Sequence, residues 1–199
     1  MIEIDTLIAW GATYKTYLKG ETIFCEGGHC FYYYQLVSGK VSWMNMNEDG
    51  KEFIQNIIEQ GECFGEIPLF DERPYAANSI ATEKSLVIRL PKKLFIQLLQ
   101  ENQTLHFSFS KLMAQRIRYN FMLLKLLAYE CPEMRIKTLL GYTKLKHLPS
   151  DHDHHKYEVD LTRQQIANMT GLRVETVIRE MRNLERRGEI EIVHGKVFM

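Results

Sequence analysis

Residues 104–131 contain neither proline nor glycine, and this stretch limits what the rest of the chain can build. Phe109, Leu112, Met113, Ile117, Phe121, Leu124 and Ala128 recur along it at steps of three and four, the spacing of one helical face. At 1.5 Å per residue the stretch makes a rod of roughly 40 Å, which overshoots one small domain. Such a rod is either a core helix or a spine that pairs with the same helix of a second subunit. Its length favours pairing, because an apolar stripe this long needs a partner. Pro132 has no N–H to continue the helix, so it marks a boundary. Three regions follow: residues 1–103, the dimerising helix 104–131, and residues 132–199.

Upstream, Gly28, Gly39, Gly50 and Gly61 recur every eleven residues, in "EGGH", "VSGK", "EDGK" and "EQGE". Between them lie "FYYYQLV", "KVSWMNM" and "KEFIQNII", whose aromatic and β-branched residues suit a pleated surface. Asp49 and Gly50 make a good hairpin turn. Short strands at this spacing predict an antiparallel sandwich or barrel. "PKKLFIQLLQEN" then opens a helix, with Pro91 in a first-turn position.

Lysines and arginines (25) balance aspartates and glutamates (25), which argues against a whole surface built to coat nucleic acid or membrane. The balance leaves room for a local patch. No apolar run approaches the roughly 20 residues of a membrane span. The opening "MIEIDTLIAW" carries acids where a secretory signal carries bases. Cys25, Cys30, Cys63 and Cys131 are too few and scattered for a disulfide framework. A cytoplasmic protein with free, buried thiols is expected.

The patch lies near the end, in "LTRQQIANMTGLRVETVIREMRNLERRGEI". Between Arg163 and Arg187, six arginines (Arg163, Arg173, Arg179, Arg182, Arg186 and Arg187) outnumber Glu175, Glu180 and Glu185, 6 − 3 = +3. Thr162 and Gln165 form a capping box that starts a helix, with Ile166, Ala167 and Met169 inward. Gly171 permits a turn, and a second helix begins near Val174. On it Val177, Met181 and Leu184 form a core face, while Glu175, Arg179, Arg182 and Arg186 form the opposite one. Two short helices with outward bases on the second make a helix-turn-helix. The hairpin "EIEIVHGKVFM", turning at His194 and Gly195, makes a wing. Arginine matches guanine O6 and N7, and glutamate accepts from cytosine N4. Glu175 and Arg179 are placed for base edges, Arg182 and Arg186 for phosphates or for Glu180 and Glu185. The whole set assigned to double-stranded DNA is Thr162, Arg163, Gln164, Arg173, Val174, Glu175, Thr176, Arg179, Arg182 and Lys196.

"TRQQIANMTGLRVETVIREMRNLERRGEIEIVHGK", together with the element order, resembles the Crp–Fnr family of bacterial transcription regulators over nearly the whole chain. The resemblance implies an α+β chain: a β jelly-roll sensor like a cyclic-nucleotide-binding domain, a long dimerisation helix, and a winged helix-turn-helix. It implies a homodimer on a palindromic operator. "VETVIR" is similar to the family's recognition helix, with Val174 as in the fumarate-nitrate branch and Ile178 where that branch has serine. Phe64, Gly65 and Glu66 match the family's sensor turn, whose glutamate binds ribose in cyclic-nucleotide binders. Their Pro-Arg-(Ser/Thr)-Ala run, which grips the phosphate, reads Pro74, Tyr75, Ala76, Ala77 here. Arg73 lies just upstream, and Asn120 and Phe121 replace the family's purine contacts. Cyclic AMP is therefore not expected. The pocket is empty, repurposed for an unknown effector, or filled by side chains such as Phe70 and Phe121.

Other chemistries find little support. An iron–sulfur cluster needs four thiolates, and only Cys25 and Cys30 are near each other. His29, His106 and Met44 lie in no recognisable haem motif, and a cupin-like enzyme would need closely spaced histidines where the first hundred residues hold only His29. "DHDHH" (residues 151–155) reads as a solvated loop, which by position resembles the family's contact with RNA polymerase. No cofactor, metal or catalytic residue is expected. If an effector exists, residues 129–133 are the candidate hinge.

Overall fold

The computed structural model describes residues 1–147 and 156–199. They form two compact units, Met1–Arg116 and Ile117–Met199.

The first unit is a jelly roll of eight antiparallel strands. β1 (Thr13–Tyr17), β8 (Ser85–Pro91), β3 (Tyr32–Ser38) and β6 (Cys63–Phe64) form one sheet in that order. β2 (Thr22–Phe24), β7 (Asn78–Ala81), β4 (Val41–Met46) and β5 (Glu52–Ile58) form the other. The eleven-residue rhythm maps onto the connections: Gly39, Gly50 and Gly61 stand at positive φ, and at the first turn Gly27 rather than Gly28 does so. α1 (Ile4–Ala9) precedes the sheets, and α2 (Ile67–Asp71) follows β6 directly. α3 (Lys92–Glu101) starts one residue later than the sequence suggests, since Pro91 ends β8 and serves as N-cap.

α4 (Gln103–Tyr129) is the long helix, and its apolar stripe divides. Phe109 is buried in the first unit's core with Tyr33, Leu90 and Phe95, and Leu112 and Met113 pack against that cluster. These three therefore pack within the chain, Phe109 fully and Leu112 and Met113 in part. Ile117, Phe121 and Leu124 are 55%, 68% and 64% exposed, and Ala128 is exposed too. Only the second half of the stripe lacks cover inside the chain. Where the helix stops at Tyr129, carbonyls at its end find another partner. The Arg135 guanidinium donates to the carbonyls of Glu130 (2.9 Å) and Leu127 (3.0 Å).

In the second unit, α5 (Pro132–His147) begins at Pro132 and buries Ile136, Leu139 and Leu140. β9 (Glu158–Val159), α6 (Arg163–Thr170), α7 (Val174–Arg186), β10 (Glu191–Val193) and β11 (Lys196–Phe198) follow. The hairpin of β10 and β11 gains β9 as a third strand on β11. Arg135 also donates to the Thr170 carbonyl (3.3 Å), so one side chain joins the ends of α4 and α6.

Candidate nucleic-acid interface and sensor site

The reading head is set by local chemistry. The Thr162 hydroxyl accepts from the Gln165 N–H (3.1 Å), and the Gln165 side chain accepts from the Thr162 N–H (2.8 Å). That reciprocal pair satisfies two of the donors a helix start leaves open. Gly171 closes α6 at φ 68°, a left-handed conformation that glycine adopts without a Cβ penalty. Arg173 is the N-cap of α7. Val177, Met181 and Leu184 are buried, which turns Glu175, Arg179 and Arg182 outward, all exposed. Val174 and Thr176 are half-buried at the start of the helix.

Not every arginine in the patch is displayed. Arg163 donates to the Gly195 carbonyl at the wing turn (3.3 Å), and burial lowers its pKa against the pull of Glu185. Arg187 holds Glu133 of α5 through two nitrogens (3.2 and 2.6 Å) and also pairs with Glu189. Lys196 pairs with Glu158 (2.7 Å), and Gln164 donates to Asn168 (2.8 Å). Arg179 donates to Glu180 (3.0 Å), which also accepts from Asn183; the Asn183 bond first and Arg179 next hold the Glu180 carboxyl below its usual range. An ion pair as exposed as that of Arg179 is worth little and yields readily to another partner.

In the first unit, Gly65 follows β6 and Glu66 leads into α2. A Cβ on Gly65 would lie 2.6 Å from the Phe24 ring, at φ +66°, so glycine is required where that ring crosses the turn. Phe24 stacks on Tyr75 with centroids 3.8 Å apart, and Tyr34 and Phe64 extend the aromatic cluster. Tyr75 is buried; burial, reinforced by the Cys30 thiol, pushes its phenol well above the ordinary value. Glu66 is 1% exposed and forms an ion pair with Arg116 of α4, which also donates to the Cys63 carbonyl and lies over the Trp43 ring (5.8 Å). Burial disfavours the Arg116 charge, but Glu66, Cys63 and Glu62 together outweigh it and raise the pKa.

The side chains over the sensor turn at Gly65 are Phe24 and Tyr75. Phe70 instead packs its ring against Phe95 and Phe109, and Phe121 is exposed. Arg73, Ala76 and Asn120 are exposed; the Ala76 carbonyl accepts from Asn45. Phe24 and Arg116 lie roughly 40 and 50 residues from the turn they cover, so motif spacing does not point to them. All four cysteines are free, but only Cys63 is fully buried, while Cys25 and Cys131 are exposed. Among the described residues no group of three or more His, Cys, Asp or Glu is placed to hold a metal ion, and no helix is long and apolar enough to cross a membrane. Residues 151–155 lie outside the described residues.

A jelly roll, a long helix and a winged helix-turn-helix define a class of DNA-binding regulators. Sequence comparison agrees region by region: residues 14–102 match the Cyclic nucleotide-binding domain and residues 135–199 the Crp-like helix-turn-helix domain. The chain is 30% identical to the cAMP-activated global transcriptional regulator CRP of Pasteurella multocida, over 98% of this chain and 95% of that protein. It is 26% identical to the Cyclic AMP receptor protein of Thermus thermophilus, over 98% and 87%. Similar folds include FixK2 of Bradyrhizobium japonicum (TM-score 0.80, 21% identity, 94% and 92% covered). A CooA mutant of Carboxydothermus hydrogenoformans is another (TM-score 0.83, 17% identity, 98% and 85% covered). The chain belongs to the Crp–Fnr family and is a DNA-binding transcription regulator. Its relatives are regulators rather than enzymes.

Proposed function

We propose that the protein works in the cytoplasm as a homodimer that reads a palindromic operator, presenting Glu175 and Arg179 of each subunit to base edges about one duplex turn apart. The observation that carries this is the outward row of Glu175, Arg179 and Arg182 on a helix whose other face is fully buried. Arginine supplies two parallel donors for guanine, and glutamate an acceptor for cytosine. Thr162, Gln164, Arg173, Thr176 and Lys196 flank the row and suit the backbone contacts that fix register. The exposed half-stripe of Ile117, Phe121, Leu124 and Ala128 supports pairing of two long helices. RNA polymerase is the further partner that this reading implies. Operators selected from random duplex DNA provide the test. Arg179→Ala loses about 1–3 kcal/mol of specific binding and loosens preference at one base pair. Unchanged selectivity in gel-shift competition refutes Arg179 as a reader.

On this reading the effector pocket is filled by the protein itself. Phe24 and Tyr75 cover the sensor turn and Arg116 engages Glu66, so binding to DNA needs no cyclic nucleotide. One observation favours a second reading, a gate for an unidentified small molecule. Trp43 Nε1 and Ser79 Oγ, opposite each other in β4 and β7, are buried without hydrogen-bond partners. A ligand of the native state raises the melting temperature, so thermal-shift screening of nucleotides and metabolites separates the two.

A further inference from the structure

The outward face of α7 contains one residue that neither the charge pattern nor the core explains. Ile178 falls between Glu175 and Arg179, with Arg182 one turn on, so the four share a strip at steps of three, one and three. It is 37% exposed, whereas its neighbour Val177 is fully buried. A β-branched side chain is also a poor choice for an exposed helical site on propensity alone.

From this placement we infer that Ile178 is a specificity residue: it reads the C5-methyl group of a thymine beside the bases met by Glu175 and Arg179. The major-groove edges of the four base pairs differ mostly in donors and acceptors, and the thymine methyl is their apolar feature. An aliphatic side chain between two hydrogen-bonding readers meets such a methyl and excludes water from it. The chemistry selects thymine over cytosine, whose edge has no C5-methyl group for isoleucine to meet. This rests on the reading of α7 as the base-contacting helix.

The test replaces each thymine of the selected operator by deoxyuridine, which removes the methyl and nothing else, and measures binding of the intact wild-type protein. Burying about one methyl group corresponds to roughly a fourfold loss per half-site, and roughly fifteenfold when both half-sites are replaced. One thymine per half-site shows this loss. Ile178→Ala, checked for an unchanged melting temperature, binds the thymine and deoxyuridine operators equally. A flat deoxyuridine scan, a selected half-site without thymine, or an Ile178→Ala protein that keeps the preference overturns the inference while leaving the Arg179 reading intact. Equal binding of selected and scrambled duplexes, by contrast, removes the underlying reading itself.

Discussion

Glu66 and Glu175 each stand at the start of a helix with an arginine at hand, and they end in opposite situations. Glu66 is buried and clasped by Arg116, under a roof of aromatic rings. Glu175 is exposed beside Arg179, whose own partner is the half-buried Glu180 next to it. A buried carboxylate and guanidinium are each costly to leave alone, so that pair holds one shape. An exposed pair is loosely held and exchanges partners cheaply. The same two residue types thus make a fixed joint in one unit and an adaptable contact face in the other.

The contrast is broken most directly at Arg116. Arg116→Ala leaves Glu66 buried without a countercharge and lowers unfolding free energy by about 3–5 kcal/mol in denaturant titration, with Arg116→Met plus Glu66→Leu recovering most of the loss. A loss below about 1 kcal/mol would place the buried pair on a par with the exposed one. Arg135→Ala removes three hydrogen bonds from one charged group and costs about 2 kcal/mol by the same measurement. Thr162→Ala removes half of the capping box and costs about 1 kcal/mol.

The smallest effect at neutral pH concerns Cys63, whose thiol burial pushes from an ordinary 9.0 up to about 12. A raised folded-state pKa contributes stability that is complete below pH 9 and is lost as pH rises towards 12, since the unfolded chain releases its proton first. Exposed Cys25 and Cys131 therefore react quickly with a thiol reagent at pH 8, and Cys63 reacts only on unfolding. Rapid labelling of Cys63 in the folded protein contradicts a sealed first unit.

The reading head was legible because its signals are short-range. The capping box, Gly171 and the inward triad of Val177, Met181 and Leu184 lie within about a dozen residues of their partners. The long helix was legible from what it lacks. Its partners were not, since the same three-four spacing serves a core at Phe109 and an exposed face at Phe121. The strand rhythm marks the segments of β3, β4 and β5 but not that β3 lies between β8 and β6, pairings set by distant contacts. The sensor motif marks the turn at Gly65, while the ring that crosses it comes from β2 and the cation on Glu66 from α4.

Arg135 closes two helices with one side chain. Because one planar cation grips the carbonyl ends of two helices at once, the close of the spine and the first helix of the head behave as a keyed coupling rather than a loose knuckle. Lysine, with a single point of attachment, could not hold both ends in the same way.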